Sequence, residues 1–172
     1  MKTLRLILGD QLNIRHSWFE TVSESNLYCM FEMRQETDYV KHHIQKVVGF
    51  FTAMREFSKQ LEAQGHKVVY LTLDDNTNFQ NLKSNLNHII ESQGIEMFEY
   101  QSPDEYRLDA QLQTFCNTLT VPFREFDTEH FYTKRDELSV FFKGKKQFLM
   151  ERFYRYMRQK HHILMDGEQP EG

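Results

Sequence analysis

Leu4-Arg5-Leu6-Ile7-Leu8-Gly9-Asp10-Gln11 is the stretch whose reading decides the fold. Its first five residues are rich in large aliphatics and lack polar and apolar alternation, which suits a strand covered on both faces, and Gly9-Asp10 stops it. Comparable runs recur at Asn26–Phe31, Lys67–Leu73, Ile95–Tyr100 and, more weakly, Val121–Phe126. Helical patterns fill the gaps. Val40, Ile44, Val47, Val48, Phe51, Met54 and Leu61 repeat at three and four residues, which predicts an amphipathic helix from about Tyr39 to Gln64, ended by Gly65. Thr37 or Asp38 is its expected N-cap. Phe79, Leu82, Leu86, Ile89 and Ile90 predict a second helix before Gly94, and Tyr106 to Leu119 a third. Strands alternating with helices every 25 to 30 residues or so imply βαβ units and a Rossmann-like, doubly wound, five-stranded parallel sheet with helices on both faces.

Composition agrees with one α/β domain and an appended element. The chain has 172 residues, 40% hydrophobic and 27% charged, with 7 Gly and 3 Pro, too apolar and too poor in breakers for a disordered or collagen-like chain. No apolar run approaches the about 18 residues that span a bilayer, and MKTLRLILGDQLN lacks a signal-peptide core, so a cytoplasmic location is expected. Cys29 and Cys116 match no metal spacing and read as buried small hydrophobes. No metal site is expected.

The last third carries a different charge. From Lys143 to Lys160 seven Lys or Arg stand against one Glu, a local +6 inside a chain whose total is −4. Leu149, Met150, Phe153, Tyr156 and Met157 recur at helical spacing in this span, predicting a basic helix with one apolar face. Two roles compete for it. Six or more positive charges suit a DNA backbone; a connector toward another domain suits the aromatic face, which needs a partner, and this is the favoured reading.

In an open α/β sheet ligands bind beyond the carboxyl ends of the strands, near the point where strand order reverses. Gly9, Asp10 and Gln11 stand there: a tight turn, an acceptor, and a donor-acceptor amide that matches a heteroaromatic edge. The plain alternative for the triplet is a turn with an Asx hydrogen bond. Phe31, Glu32 and Glu36 end the second strand toward the same edge, followed by Tyr39, His42, His43 and Lys46 in the first helical turns. His43 falls between Val40 and Val47 and is expected to face inward, whereas His42-His43 is no metal pair because adjacent helical residues diverge by about 100°. Asp74 and Asp75 read as solvated loop acids, Asp104 as a helix cap and Glu105 as a first-turn acid; Arg107 stays open. No G-x-S-x-G elbow, phosphate-binding glycine loop, paired catalytic carboxylates or Cys-His nucleophile is present, so no catalytic residue is assigned.

LILGDQLN (6–13), EMRQETDYVKHH (32–43), PDEYRLD (103–109), FLMERFYRYMR (148–158) and ILMDGEQPEG (163–172) together resemble the amino-terminal part of deoxyribodipyrimidine photolyase-related proteins. These form the bacterial iron-sulfur branch of the cryptochrome and photolyase family, with the prokaryotic (6-4) photolyases. The resemblance implies an antenna domain over residues 1–130 and a helical connector over 131–172. The connector would lead toward a further helical domain that carries FAD, a four-cysteine iron-sulfur cluster and the docking surface for damaged DNA. The parent flavoprotein would then perform light-driven repair of a DNA photoproduct or blue-light sensing, and this chain alone would be catalytically silent. Neither Cys29 nor Cys116 would be a cluster ligand.

The resemblance further implies a pigment like 6,7-dimethyl-8-ribityllumazine in the α/β domain. Gly9, Asp10 and Gln11 would edge its ring or ribityl chain, Glu36 would accept its hydrogen bonds, and Phe31, Glu32, Tyr39 and His43 would line the slot. Phe31 and Met33 are bulky enough to narrow that slot. The expected partners are the helical domain of the same protein, damaged DNA through the full-length protein, and a second copy through an exposed connector helix; no membrane is expected. Two other classes fit the same residues: a nucleotide-binding sensor of the same sheet topology, and a structural brace without a ligand.

Overall fold

The computed structural model describes residues 1–38, 40–167, 169 and 170. They form two compact units, Met1–Thr128 and Glu129–Gly172.

The first unit is a five-stranded, all-parallel sheet: β1 (Thr3–Leu6), β2 (Asn26–Phe31), β3 (Lys67–Leu71), β4 (Met97–Gln101) and β5 (Phe123–Phe126), in the order β3-β2-β1-β4-β5. This is the doubly wound sheet that the alternation predicts. Between the strands lie α1 (Gln35–Asp38), α2 (Ile44–Ala63), α3 (Leu82–Gln93) and α4 (Tyr106–Cys116), with a short 3-10 turn at Ser17–Phe19. Side chains alternate across the central strands, so the continuous apolar runs feed two cores. Leu4, Leu6, Leu27, Cys29, Phe31, Phe98 and Tyr100 pack with Leu86 of α3 and Leu112 of α4. Ile7, Tyr28 and Met30 pack with Trp18, Phe19 and the α2 residues Phe51, Met54, Phe57 and Leu61. Leu86 and Leu112 are fully buried, and truncating such a leucine to alanine costs about 2–5 kcal/mol.

One ion pair sits inside this apolar sheet. Arg5 on β1 stands in register with Glu99 on β4, and its Nε lies 2.8 Å from Glu99 Oε2. The Arg5 guanidinium also donates to Tyr28 Oη at 3.1 Å and to the Trp18 carbonyl at 3.3 Å, so the pair carries the extra hydrogen bonds that a buried ion pair requires.

Helix boundaries hold the main corrections. The helix expected from Tyr39 is split: Thr37 and Asp38 lie within α1, and α2 starts at Ile44 with His43 as its N-cap. His43 has an extended backbone and its Nδ1 accepts from the Gln45 N–H at 3.2 Å. A cap must point back along its own helix, so His43 is exposed instead of inward. Val40, Ile44 and Val48 are exposed with it, and the buried stripe of α2 begins at Phe51. The expected stop at Gly65 is observed, at φ +92°, with the His66 N–H closing on the Leu61 carbonyl. At α4 the cap is Glu105, which accepts from the Arg107 N–H at 3.0 Å, in place of Asp104.

The second unit contains α5 (Glu137–Phe142), α6 (Met150–His161) and a two-residue antiparallel pair, β6 (Met165–Asp166) with β7 (Gln169–Pro170). The basic helix therefore starts seven residues later than Lys143; Gly144 turns at φ +75° and residues up to Leu149 are non-helical. Its apolar face is partnered in part: Leu149 and Met150 are exposed, whereas the face around Phe153 meets α5. Phe142 and Phe153 are buried, and Phe141 packs on Phe153 at 5.2 Å and on Tyr156 at 5.0 Å between ring centroids. Tyr156 Oη and the Lys160 ammonium both donate to Glu137 Oε1, tying the end of α6 to the start of α5. Among the described residues no helix is long and apolar enough to cross a membrane.

Candidate ligand site at the carboxyl edge of the sheet

Strand order reverses between β1 and β4, and the chain leaving β1 crosses that point at Gly9-Asp10-Gln11. A Cβ placed on Gly9 would come within 2.3 Å of Phe50 Cζ and 2.9 Å of Met54 Sδ, both from α2. A side chain there would displace the Phe50 ring or the Met54 thioether, which together cover the face that glycine leaves free. Asp10 is exposed beside it. Gln11 is 1% exposed and bridges the switch point: its Oε1 accepts from the Leu8 N–H at 3.0 Å and its Nε2 donates to the Gln101 carbonyl at 3.2 Å.

Gln101 has the opposite character. It ends β4 at 0% exposure, and among the described residues neither its Nε2 nor its Oε1 has a hydrogen-bond partner. A buried carboxamide with neither end satisfied costs about 1–3 kcal/mol per group, so its retention calls for an explanation. Strand alternation sets it on the opposite side from Phe98 and Tyr100, the side of the sheet that α2 covers. Sequence reasoning missed Gln101 because a glutamine closing an apolar run reads as the start of a loop.

Glu32 is saturated. Its carboxylate, 0% exposed, takes Arg55 Nε at 2.5 Å and Nη2 at 2.8 Å, Tyr70 Oη at 2.8 Å and the Leu73 N–H at 3.0 Å. Burial raises its pKa, but these donors together outweigh that and hold the carboxyl below its ordinary range. Asn78 Nδ2 bonds the Glu32 and Thr72 carbonyls, extending the network beneath β3. Glu32 thus locks α2 to the ends of β2 and β3. Arg55 and Tyr70, its partners, are 23 and 38 residues away, and no local pattern marks them.

Phe31 and Met33 are buried in the α3 and α4 core, as their bulk suggests. With Gly9, Met54 and Leu82 they line a cavity of about 10 Å³, room for about one water. Glu36 lies in α1 with its side chain outside the described residues, and Tyr39 is outside them altogether. The site residues gathered at the edge are therefore Gly9, Asp10, Gln11, Phe31 and Glu32, and His43 stands apart on the surface as a cap. Asp74 and Asp75 bond Thr72 and Thr77, as loop acids do. Arg107 lines a roughly 440 Å³ groove between α3 and α4 with Lys83 and Gln111, and it also pairs with Glu105 at 3.3 Å.

This geometry of a doubly wound sheet, a glycine cradle at the switch point and a basic terminal helix can be set against known proteins. The family model of deoxyribodipyrimidine photo-lyase-related proteins matches residues 5–172. The chain belongs to that family. A curated relative, the (6-4) photolyase of Agrobacterium fabrum, is 31% identical over 173 residues, which cover 100% of this chain and 34% of the relative. This photolyase-related chain thus spans about a third of the length of the curated relative it matches. Its LILGDQLN segment starts within the matched span, so the edge described above belongs to the shared region.

Proposed function

We propose that this chain is the light-harvesting module of a photolyase-related protein, holding a pigment of the 6,7-dimethyl-8-ribityllumazine type at the carboxyl edge of the sheet. The whole protein would carry FAD and an iron-sulfur cluster in a further helical domain and act on damaged DNA or sense blue light. The observation that carries the pigment reading is the pairing of Gly9 with Phe50: a glycine face already filled by the end of an aromatic ring. A planar heterocycle suits the same face once the half-buried Phe50 ring turns aside. The unpartnered Gln101 amide supplies a donor and an acceptor of the kind a pteridine edge requires. Asp10, and Glu36 from α1, would take the ribityl hydroxyls, while Gln11 and Glu32, both bonded to protein groups, would shape the slot. A bound pigment of this kind absorbs light and passes excitation to a flavin; the protein's part is to fix the ring and keep water out.

The saturated Glu32 and the cavity of about 10 Å³ favour the structural brace as a second reading. One titration separates the two. Adding 6,7-dimethyl-8-ribityllumazine to the purified chain is expected to give saturable fluorescence polarisation, tightened by Phe50→Ala and weakened at least tenfold by Gln101→Leu. Gln101→Leu should also raise the melting temperature, since it removes a buried unsatisfied amide. No polarisation change with folded wild type and with Phe50→Ala would overturn the pigment reading in favour of the brace. Calorimetric binding of ATP or AMP at the same edge would overturn it in favour of a nucleotide sensor.

A further inference from the structure

We infer that the groove between α3 and α4 binds a small organic phosphate, a phosphomonoester with an apolar body, through Lys83, Arg107 and Gln111. The site goes beyond the pigment reading and lies apart from it. Helices α3 and α4 cover one face of the sheet, whereas Phe50 and Gln101 belong to the α2 side.

The groove measures about 440 Å³, within the size range of small-molecule sites, and Leu82, Ala110 and Phe115 give it an apolar wall. The charged groups that line it are both cations, Lys83 and Arg107. Each is the second residue of its helix. That first turn carries the positive end of the helix dipole, where a carboxylate is favoured and a cation is opposed. Helix α4 compensates: Glu105 caps it, Asp109 stands in its first turn, and Glu105 also holds Arg107 Nη2 at 3.3 Å. Helix α3 does not. Its first turn holds no acid, its cap is the neutral Asn81, and among the described residues Lys83 has no carboxylate within ion-pair distance. A neutral donor completes the set. Gln35 Nε2 donates to Gln111 Oε1 at 2.6 Å, and the Gln111 Nε2, which takes no acceptor among the described residues, is the end left for a ligand.

A phosphomonoester answers these features together. It carries a charge of about −1.5 to −2 at pH 7, enough for two cations held on separate helices, where a carboxylate would bring less. Arginine has donors for Glu105 and for a phosphate oxygen at once, lysine binds phosphate as a point charge, and the α3 first turn favours the same anion. Inorganic phosphate would leave the apolar wall uncovered, so the phosphate is one borne on an organic body.

The test is fluorescence polarisation of 4-methylumbelliferyl phosphate titrated with the 172-residue chain. Saturable binding is expected, with a dissociation constant below about 1 mM. Lys83→Gln and Arg107→Gln should each weaken it about tenfold or more, as loss of a hydrogen bond to a charged group does. Lys83→Arg should stay within a few-fold of wild type, and Lys59→Gln, on α2 and paired with Glu56, should leave binding unchanged. AMP that is displaced by the probe and lost in Lys83→Gln would support this groove as the phosphate site. No saturable binding by wild type would overturn the inference, as would unchanged affinity in the K83Q/R107Q variant. Unphosphorylated 4-methylumbelliferone bound as tightly as its phosphate would overturn it too, leaving an apolar groove without phosphate selectivity. Phe50→Ala and Gln101→Leu should not change probe binding, and 6,7-dimethyl-8-ribityllumazine should not displace it; displacement would overturn the separate site. Failure of the pigment reading and failure of this one therefore show separately.

Discussion

The carboxyl edge of the sheet and the turn before α6 handle charge in opposite ways. At the edge Glu32 is wholly buried and meets four donors, and Arg5 with Glu99 is likewise enclosed and cross-bonded. Before α6, Lys143, Lys146 and Arg152 stand in solvent with no carboxylate within reach among the described residues. A charge that holds a fold together is desolvated and internally matched, because leaving it unmatched costs several kcal/mol. A hydrated charge carries no such cost and contributes little to the fold. Where a charge is satisfied therefore separates architectural residues from available ones.

The contrast breaks most visibly at Glu32. Glu32→Ala leaves the Tyr70 hydroxyl and Leu73 N–H without their acceptor and releases α2 from the strand ends; urea unfolding should show a loss of about 3–5 kcal/mol. The same carboxyl gives a pH signature. Its folded pKa lies below the unfolded value of about 4.3, so its contribution is complete above that pH and disappears as pH falls through the folded value. Wild-type stability should drop in that acid window, and Glu32→Gln should show a shallower drop. In the second unit, Phe153→Ala removes the centre of the aromatic cluster and should cost about 3 kcal/mol, read as lost hydrogen-exchange protection along α6. Gly9→Ala forces its new methyl into the Phe50 ring and should cost about 1–3 kcal/mol, most of it recovered when Phe50→Ala is added. At the small end, Lys146→Ala should change stability by less than about 0.5 kcal/mol in urea unfolding, which is what an available charge predicts.

The order and kind of the strands were legible because both faces of β1, β2 and β4 are covered, and continuous apolar runs report that directly. Gly65 and Gly94 marked helix ends correctly because a positive φ has a residue-level signature. The start of α2 was not legible: Val40, His43, Ile44 and Val47 keep helical spacing whether or not the backbone is helical, and here residues 40–43 are non-helical, with an extended ψ at His43. Glu32 looked available for a ligand because its partners come from α2 and β3, whose approach to that carboxylate is a tertiary event. Gln101 was invisible for the same reason, since its burial depends on what covers β4. At α6 the apolar positions were legible but their partner was not, because the six-residue α5 is too short to carry a periodic signal.

The pairing of Arg5 with Glu99 also bears on how the chain finds its fold. The two residues lie 94 positions apart, so β1 and β4 meet across most of the first unit. Parallel apolar strands are permissive partners, and a slip of one residue would leave Leu and Phe side chains with acceptable neighbours. It would not leave Arg5 with one: shifted either way, the guanidinium faces Phe98 or Tyr100 in place of a carboxylate. A single charge in an otherwise aliphatic strand thereby acts as an alignment key that disfavours the misregistered pairings of β1 with β4.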